Sequence, residues 1–312
     1  MQKTSLPLIV DIKRHSLEDG PGIRSVVFFK GCSLRCIFCH NPEAQDPRAE
    51  ITFSERKCIG CGKCADSCSE GAINLSSQKR IDRDKCVRCG NCARVCPGNA
   101  LRLVGCYYPV EALTEILLRD LTFYRHSNGG VTLSGGECTI YPDYLKSLLL
   151  RLKSYSLHIV LETSGYFAYD VFRQKVLPYI DLIFYDIKIA NPTAHVRHTG
   201  RSNRRIFENF RRLLREKEVD VIPRIPFIPG ITSTRENLLD IVDFLCEAGA
   251  HSVCLLPYNP LGIDKYVSLG RDRPPLSQEF VKPEEERKTY AMFKTIIEAK
   301  SSRGPTLKLA DT

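Results

Sequence analysis

The chain has 312 residues, 43% hydrophobic and 26% charged, which suits a soluble globular protein with one large core, or one core plus an insert. No apolar run approaches the length of a membrane span, and Met1–Ser5 opens no long apolar leader, so a cytoplasmic protein without membrane contact is expected. Fifteen cysteines in such a chain argue for metal sites over disulfides, in a reducing or oxygen-poor setting.

Leu8–Ile12 and Ser25–Phe29 are short β-rich runs. Between them Asp19-Gly20-Pro21-Gly22 is a turn by chemistry, since proline fixes φ and the glycines permit positive φ. The second run ends in Phe29-Lys30-Gly31 and delivers Cys32-x3-Cys36-x2-Cys39 from the end of a strand. Three cysteines at this spacing can hold three irons of a 4Fe–4S cube and leave the fourth iron open, as a catalytic centre requires. Read alone, the same thiols also suit a zinc knuckle or a buried core.

Residues 53–105 differ in character. Cys58-x2-Cys61-x2-Cys64-x3-Cys68 is followed by Cys86-x2-Cys89-x2-Cys92-x3-Cys96, the doubled run of bacterial two-cluster ferredoxins, in which each fourth cysteine ligates the other cluster. Cys58, Cys61, Cys64 and Cys96 are therefore assigned to one cube, and Cys86, Cys89, Cys92 and Cys68 to the second. Ser69 stands where proline is usual after the fourth cysteine, which touches the loop more than the ligation. The formal charge of +9 then falls to roughly +4, because a four-thiolate cluster carries about −2 and a three-thiolate one about −1. That is too modest to suggest nucleic acid. The arginines 201, 204, 205, 211, 212 and 215 read as a solvated helix face.

From Pro109 onward short apolar runs (131–134, 158–163, 182–188, 219–224, 252–257) alternate with helical patterns near 109–117, 143 onward, 168–177, 203 onward and 234–246. With 25–29 this makes six strands of βα type around a parallel sheet, in a barrel or a doubly wound arrangement. Polar residues collect where the strands end: Ser134-Gly135-Gly136-Glu137, Glu162-Thr163, Asp186-Ile187-Lys188, Arg224 and Asn259. In α/β barrels that end holds the chemistry. Cys246 and Cys254 fit apolar core positions, Cys138 a small packed one; Cys106 has no assigned role.

Three features together resemble one family: the cysteine run with Phe38 before its third member, Asp19-Gly20-Pro21-Gly22-Ile23-Arg24 upstream, and His40-Asn41-Pro42-Glu43 downstream. The first resembles the signature of radical S-adenosylmethionine (SAM) enzymes. The flanks narrow it to glycyl-radical-enzyme activating enzymes like pyruvate formate-lyase activase, over nearly the whole chain. The resemblance implies an incomplete (β/α)6 barrel with an inserted two-cluster ferredoxin-like domain, divided as 1–52, 53–105 and 106–312.

It further implies that the open iron of the Cys32, Cys36 and Cys39 cluster binds SAM, that the reduced cluster cleaves it, and that the 5′-deoxyadenosyl radical takes a hydrogen from a backbone glycine of a partner glycyl radical enzyme. Phe38, Cys39, His40, Ser134, Gly135, Gly136, Glu137, Asp186, Ile187, Lys188, Arg224 and Asn259 are implied as SAM contacts. Glu137 is to take the methionyl amine. Glu162 and Thr163 are to border a monovalent cation, and Asn259 replaces a histidine often found there. The Asp19–Gly22 turn is placed near the active-site mouth, toward the partner. Three 4Fe–4S clusters and a flavodoxin or ferredoxin donor complete the picture. A radical SAM enzyme for a small molecule and a ferredoxin-like electron carrier use the same residues and stand as alternatives.

Overall fold

The computed structural model describes residues 6–301 and 308–309; Met1–Ser5, and with them the expected absence of a leader, lie outside these. Strands β1 (Leu8–Ser16) and β2 (Arg24–Phe29) form an antiparallel pair. The chain then leaves through β3 (Glu50–Phe53), makes two one-turn helices, α1 (Lys63–Asp66) and α2 (Asn91–Arg94), and returns through β4 (Leu101–Val104). β3 and β4 pair antiparallel, with Glu50 opposite Val104 and Phe53 opposite Leu101. The insert thus hangs from a two-stranded ribbon that begins a few residues before position 53.

After β5 (Cys106–Tyr107) the α/β alternation follows the predicted order. It runs α3 (Val110–Leu118), α4 (Leu121–Ser127), β6 (Gly130–Gly135), α5 (Pro142–Lys153), β7 (His158–Thr163), α6 (Tyr169–Lys175), β8 (Leu182–Asp186), α7 (Pro192–Thr199), α8 (Arg204–Glu216), β9 (Asp220–Pro226), α9 (Arg235–Ala248), β10 (Ser252–Leu256), α10 (Ile263–Ser268), α11 (Pro283–Ser301) and β11 (Lys308–Leu309). Stop and start signals place several boundaries. Thr234 accepts the Asn237 N–H at the start of α9, and left-handed Gly249 ends it. The sequence reading did not include α4, α7, α10, α11 or the two-residue strand β11, which pairs parallel with β10.

The strands form one sheet in the order β11-β10-β9-β8-β7-β6-β2-β1-β5. From β2 to β10 all pairs are parallel and each strand after β6 lies beside its predecessor. Among the parallel strands, β2 and β6 to β10, the order never reverses, so they do not form a doubly wound sheet, whose strand order turns back at a switch point. One face packs Val27, Leu133, Leu161 and Tyr185 into a single core with residues of α3, α5, α6, α8, α9 and α11. Alternation along each strand sends the intervening residues to the other face.

The arginine face of α8 is largely engaged within the chain. Arg212 lies 3.7 Å from the Tyr169 ring centroid and 2.8 Å from Asp170, and Arg211 lies over Phe244. Among the described residues no helix is long and apolar enough to cross a membrane.

One expectation is corrected. Arg24, His158 and Gly130 start their strands, and the Asp19–Gly22 turn is tied to that end: Thr132 Oγ1 donates to Asp19 O at 2.7 Å, and Arg24 Nη1 donates to Pro21 O at 2.9 Å. A Cβ on Gly20 would stand 3.1 Å from Val160. The turn therefore closes the N-terminal end of the parallel strands, opposite the cysteine loop that follows Phe29. The physical reason is simple: a hairpin turn before an ascending strand must sit where that strand begins.

Candidate active site and cluster sites

The cysteine loop starts where β2 ends and is pinned from several sides. Gly31 N–H donates to Ala44 O at 2.7 Å, Cys32 N–H to Gln45 O at 3.1 Å, and Arg35 N–H to Thr199 O at 2.8 Å. Buried Gln45 and the Tyr266 hydroxyl both donate to Cys36 O, each at 3.2 Å. Lys30 is wholly buried beneath the loop and pairs with Glu50 at 2.7 Å, while Arg271 meets the other Glu50 oxygen at 2.7 Å. This links the cysteine loop to the first residue of the insert's ribbon. Burial raises the Cys32, Cys36 and Cys39 thiols, Cys36 to about 12; Glu137, Cys36 and Cys39 raise Cys32 further, while Lys188 partly offsets the rise at Cys36. At neutral pH such thiols keep their protons until a metal displaces them.

The sheet face away from the helices carries a ladder of charge. Ser134 Oγ donates to Glu162 Oε2 at 2.5 Å, Arg224 Nη1 meets Glu162 Oε1 at 2.7 Å, and Arg224 Nη2 reaches Asp186 Oδ1 at 3.3 Å. Asp186 Oδ2 in turn pairs with Lys188 Nζ at 2.9 Å. Register explains the convergence: Asp186 is opposite Arg224, and Glu162 is opposite Phe184, over whose ring the Arg224 guanidinium lies at 4.7 Å. Burial alone would raise the Asp186 carboxyl, but Lys188 and Arg224 outweigh it and hold it below the ordinary carboxylate range. Burial would likewise lower Lys188, yet Asp186 and the nearby cysteines keep it raised. Two fixed cations and two fixed anions at the strand ends suit a zwitterionic ligand, whose carboxylate and ammonium need opposite partners.

Glu137 departs from its expected part. It is 1% exposed, and its Oε1 accepts from Thr139 and Thr163 hydroxyls at 2.7 and 2.8 Å. Its Oε2 accepts the Ser164 N–H at 2.9 Å and the Ser164 hydroxyl at 2.5 Å. Almost wholly buried and with both oxygens engaged, it positions the end of β7. Thr163 is drawn into the same knot, on the opposite face from Glu162 by strand alternation, so the two do not border one ion.

Gly135 and Gly136 are small because the chain itself crowds them. A Cβ on Gly135 would fall 2.3 Å from Phe29 N, and one on Gly136 2.2 Å from Gly31 O. Asn259 is exposed, and its side chain caps the following turn by accepting Leu261 N–H at 3.0 Å. Phe38 packs against Phe227, Ile228 and Tyr258, while exposed His40 is backed by Gly262. Ile187 is buried in the main core, so its neighbours Asp186 and Lys188 carry that segment's polar chemistry. Cys138 is also in the core, and Cys106 is exposed on β5.

In the insert the eight cysteines gather around two cavities. One, of ≈ 380 Å³, is lined by Cys58, Cys61, Cys64 and Cys96; the other, of ≈ 350 Å³, by Cys86, Cys89, Cys92 and Cys68. Each run sends its fourth cysteine across to the other run's cavity. The two crossing sulfurs accept matching backbone donors, Ala72 N–H to Cys68 Sγ and Ala100 N–H to Cys96 Sγ, both at 3.3 Å. Among the described residues no three His, Cys, Asp or Glu side chains converge as on a single ion. Four sulfurs facing a shared apolar hollow, with N–H groups turned to sulfur, suit a cube whose ligands go to different irons.

Comparison with known proteins bears on the family and on the iron–sulfur character of the chain. A domain model described as a 4Fe-4S dicluster domain matches residues 57–103, and one described as a 4Fe-4S single cluster domain matches 18–75. The chain is 39% identical over 285 residues to the trans-4-hydroxy-L-proline dehydratase activating enzyme of Clostridioides difficile, covering 90% of this chain and 93% of that protein. It is 38% identical to the indoleacetate decarboxylase activating enzyme of Tractidigestivibacter scatoligenes, covering 84% and 86%. It is 36% identical to the choline trimethylamine-lyase activating enzyme of Oleidesulfovibrio alaskensis, covering 86% and 88%.

Among solved structures, Streptococcus suis SuiB bound to precursor peptide SuiA superposes with a TM-score of 0.52 at 13% identity, over 90% of this chain and 46% of that one. A radical SAM methyltransferase from Sphaerobacter thermophilus gives 0.50 at 14% identity, over 98% and 78%. These two speak to the α/β fold alone. The identities across nearly the full length carry more: the chain belongs to the glycyl-radical-enzyme activating enzymes, oxidoreductases of the radical SAM class that use iron–sulfur clusters and SAM.

Proposed function

We propose that the chain installs a radical on one backbone glycine of a partner enzyme, working as an incomplete (β/α)6 barrel (1–52 and 106–312) that carries a two-cluster insert (53–105). The observation that carries this reading is the placement of the cysteine loop over the charge ladder of Glu162, Asp186, Lys188 and Arg224. When bound, the cluster on Cys32, Cys36 and Cys39 and its SAM supply the carbon radical that takes the glycine hydrogen. The chain supplies position. Lys188 and Arg224 offer the cationic partners for a carboxylate, Glu162 and Asp186 the anionic ones for an ammonium, and the Ser134–Gly136 backbone the strand-end edge beside them. Glu137 holds that edge in place. A monovalent cation, if part of the site, would share Glu162 or Asp186 oxygens with these bases.

The insert is assigned two further cubes, on Cys58, Cys61, Cys64 and Cys96 and on Cys86, Cys89, Cys92 and Cys68. Protein reconstituted without oxygen is therefore expected to hold close to twelve irons. A count near eight, or zinc in their place, would remove one cube or the model itself. Reduced flavodoxin or ferredoxin is the proposed electron source.

The partner is sought among glycyl radical dehydratases, decarboxylases and lyases, the classes that the relatives' names bring in. With the right partner, deuterium from its glycine α-carbon should appear in 5′-deoxyadenosine while a spin signal builds on the partner. A short peptide around that glycine should react poorly, because remote docking supplies orientation that a peptide lacks. Ready SAM cleavage with every such partner left radical-free would overturn the reading in favour of a small-molecule substrate.

A further inference from the structure

The two cavities of the insert are alike in sulfur but not in charge. Around Cys58, Cys61, Cys64 and Cys96 the single charged lining residue is Arg80, whereas the second cavity is bordered by Glu70 and Arg88, of opposite sign. Arg80 is held there with some force. Its φ of 50° lies in the left-handed region, as does the 61° of Arg88 at the second cavity, and its hairpin is closed by Asn74 N–H to Arg80 O at 2.8 Å. Nη1 donates to Leu75 O at 2.8 Å, the guanidinium lies 4.8 Å from the Phe53 ring centroid, and Nη2 points to Cys58 Sγ at 3.9 Å. Nε is buried with no partner. A buried N–H donor is rarely left orphaned. Here it borders a hollow where four thiolates would surround sulfide.

We propose that Arg80 makes the two insert clusters unequal. It raises the reduction potential of the cube on Cys58, Cys61, Cys64 and Cys96 above that of its neighbour, so that this cube takes the donor's electron first. The inference rests on the two-cube reading above. The physical cause is that reduction adds one negative charge, which a guanidinium directed at a ligand sulfur stabilises, while at the second cavity Glu70 offsets Arg88 and, among the described residues, no guanidinium N–H is directed at a cysteine sulfur.

The ribbon gives this order a direction. Ile51 borders the second cavity and Phe53 and Leu101 the first, so the first lies further from Glu50 and the cysteine loop. One electron from a reduced flavodoxin- or ferredoxin-class donor thus enters at the outer cube. Arg83 serves as an internal comparison. It lies in the same insert, lines neither cavity and donates from Nη1 to Ile51 O at 2.6 Å; its Nε and Nη2 are also buried without a partner, but its charge acts on Cys86 of the second cavity and not on the first.

The test is a potentiometric titration of reconstituted full-length protein, followed by electron spin resonance, with iron counted in each sample. The parent should show two separate one-electron waves for the insert. At a fixed potential their reduced-to-oxidised ratios should differ at least tenfold, which is about 59 mV for one electron. Arg80→Gln should lower the upper wave by about the same factor and leave the lower one in place, Arg80→Lys should hold it within about threefold, and Arg83→Gln should leave the upper wave where it is. Coincident waves in the parent overturn the proposal without any variant, as does a fully iron-loaded Arg80→Gln protein whose upper wave does not move. A parent short of four or more irons would instead bring down the two-cube reading itself.

Discussion

Replacing Cys36 with alanine should reduce SAM cleavage to background while the insert keeps close to eight irons. Cys36 is buried, and its carbonyl is fixed by Gln45 and Tyr266, so the loop retains its shape when the sulfur is removed. What is lost is one of three protein ligands to a cluster whose fourth iron must stay open, and two thiolates do not hold a cube. The insert is folded by its own ribbon and core of Ile51, Phe53, Ile81 and Leu101 and should not feel the change. Doubling the substitution in the insert, Cys61→Ala with Cys89→Ala, should act in the opposite sense. A strong chemical reductant feeding the first cluster directly should still support cleavage there. Cleavage by the Cys36 variant within tenfold of the parent would sink the assignment of that cysteine.

Arg24→Ala should be the most destabilising single change near the sheet, by about 4 kcal/mol, from orphaned acceptors plus a cavity. Arg24 is fully buried, and no carboxylate pairs with it in its hydrogen-bond set. Nε donates to Thr132 Oγ1 at 2.8 Å, and Nη2 to Val131 O at 2.7 Å and His158 O at 3.1 Å. Burial lowers its pKa to about 10, so the charge is held at a cost that its neutral acceptors offset. One side chain thereby ties the Asp19–Gly22 turn to the starts of β2, β6 and β7. Lysine keeps the charge but cannot span these acceptors, and Arg24→Lys should recover less than half of the loss. Chemical denaturation of the iron-loaded protein would measure both; a loss under 1 kcal/mol for alanine would show that the turn holds itself.

Much of this was legible in the residues because it is written locally. Cysteine spacing is a property of neighbouring positions, and the crossed run of eight anticipated which sulfurs share a hollow. The parallel strands β2 and β6 to β10 were visible as apolar runs, and the arginines of α8 as a face. Other features depend on what comes from elsewhere. Glu137 reads as a ligand until Ser164 and Thr163 arrive from the next strand and take both its oxygens. Gly135 and Gly136 read as room for a ligand, but the room is filled by Phe29 and Gly31. The Asp19–Gly22 turn carries motif chemistry without any mark of which end of the sheet it closes. Arg80 is one of several basic residues between the two cysteine runs; only the neighbouring cavity distinguishes it from Lys79. The apolar spacing of Phe293, Ile296 and Ile297 does announce α11, and all three are buried in the main core.

The ribbon of β3 and β4 has a bearing on how the chain comes together. Pairing Arg24 with Gly130 closes a long loop that contains the whole insert. Closure entropy grows only with the logarithm of length, about 0.6 kcal/mol for each doubling. Since Glu50 and Val104 face each other, a folded insert takes roughly half of that loop out of the reckoning. The sheet on either side of the ribbon is then asked for almost nothing in return for carrying it. A chain can gain, lengthen or shed a module at this point of its history while the strands before and after it keep the same partners.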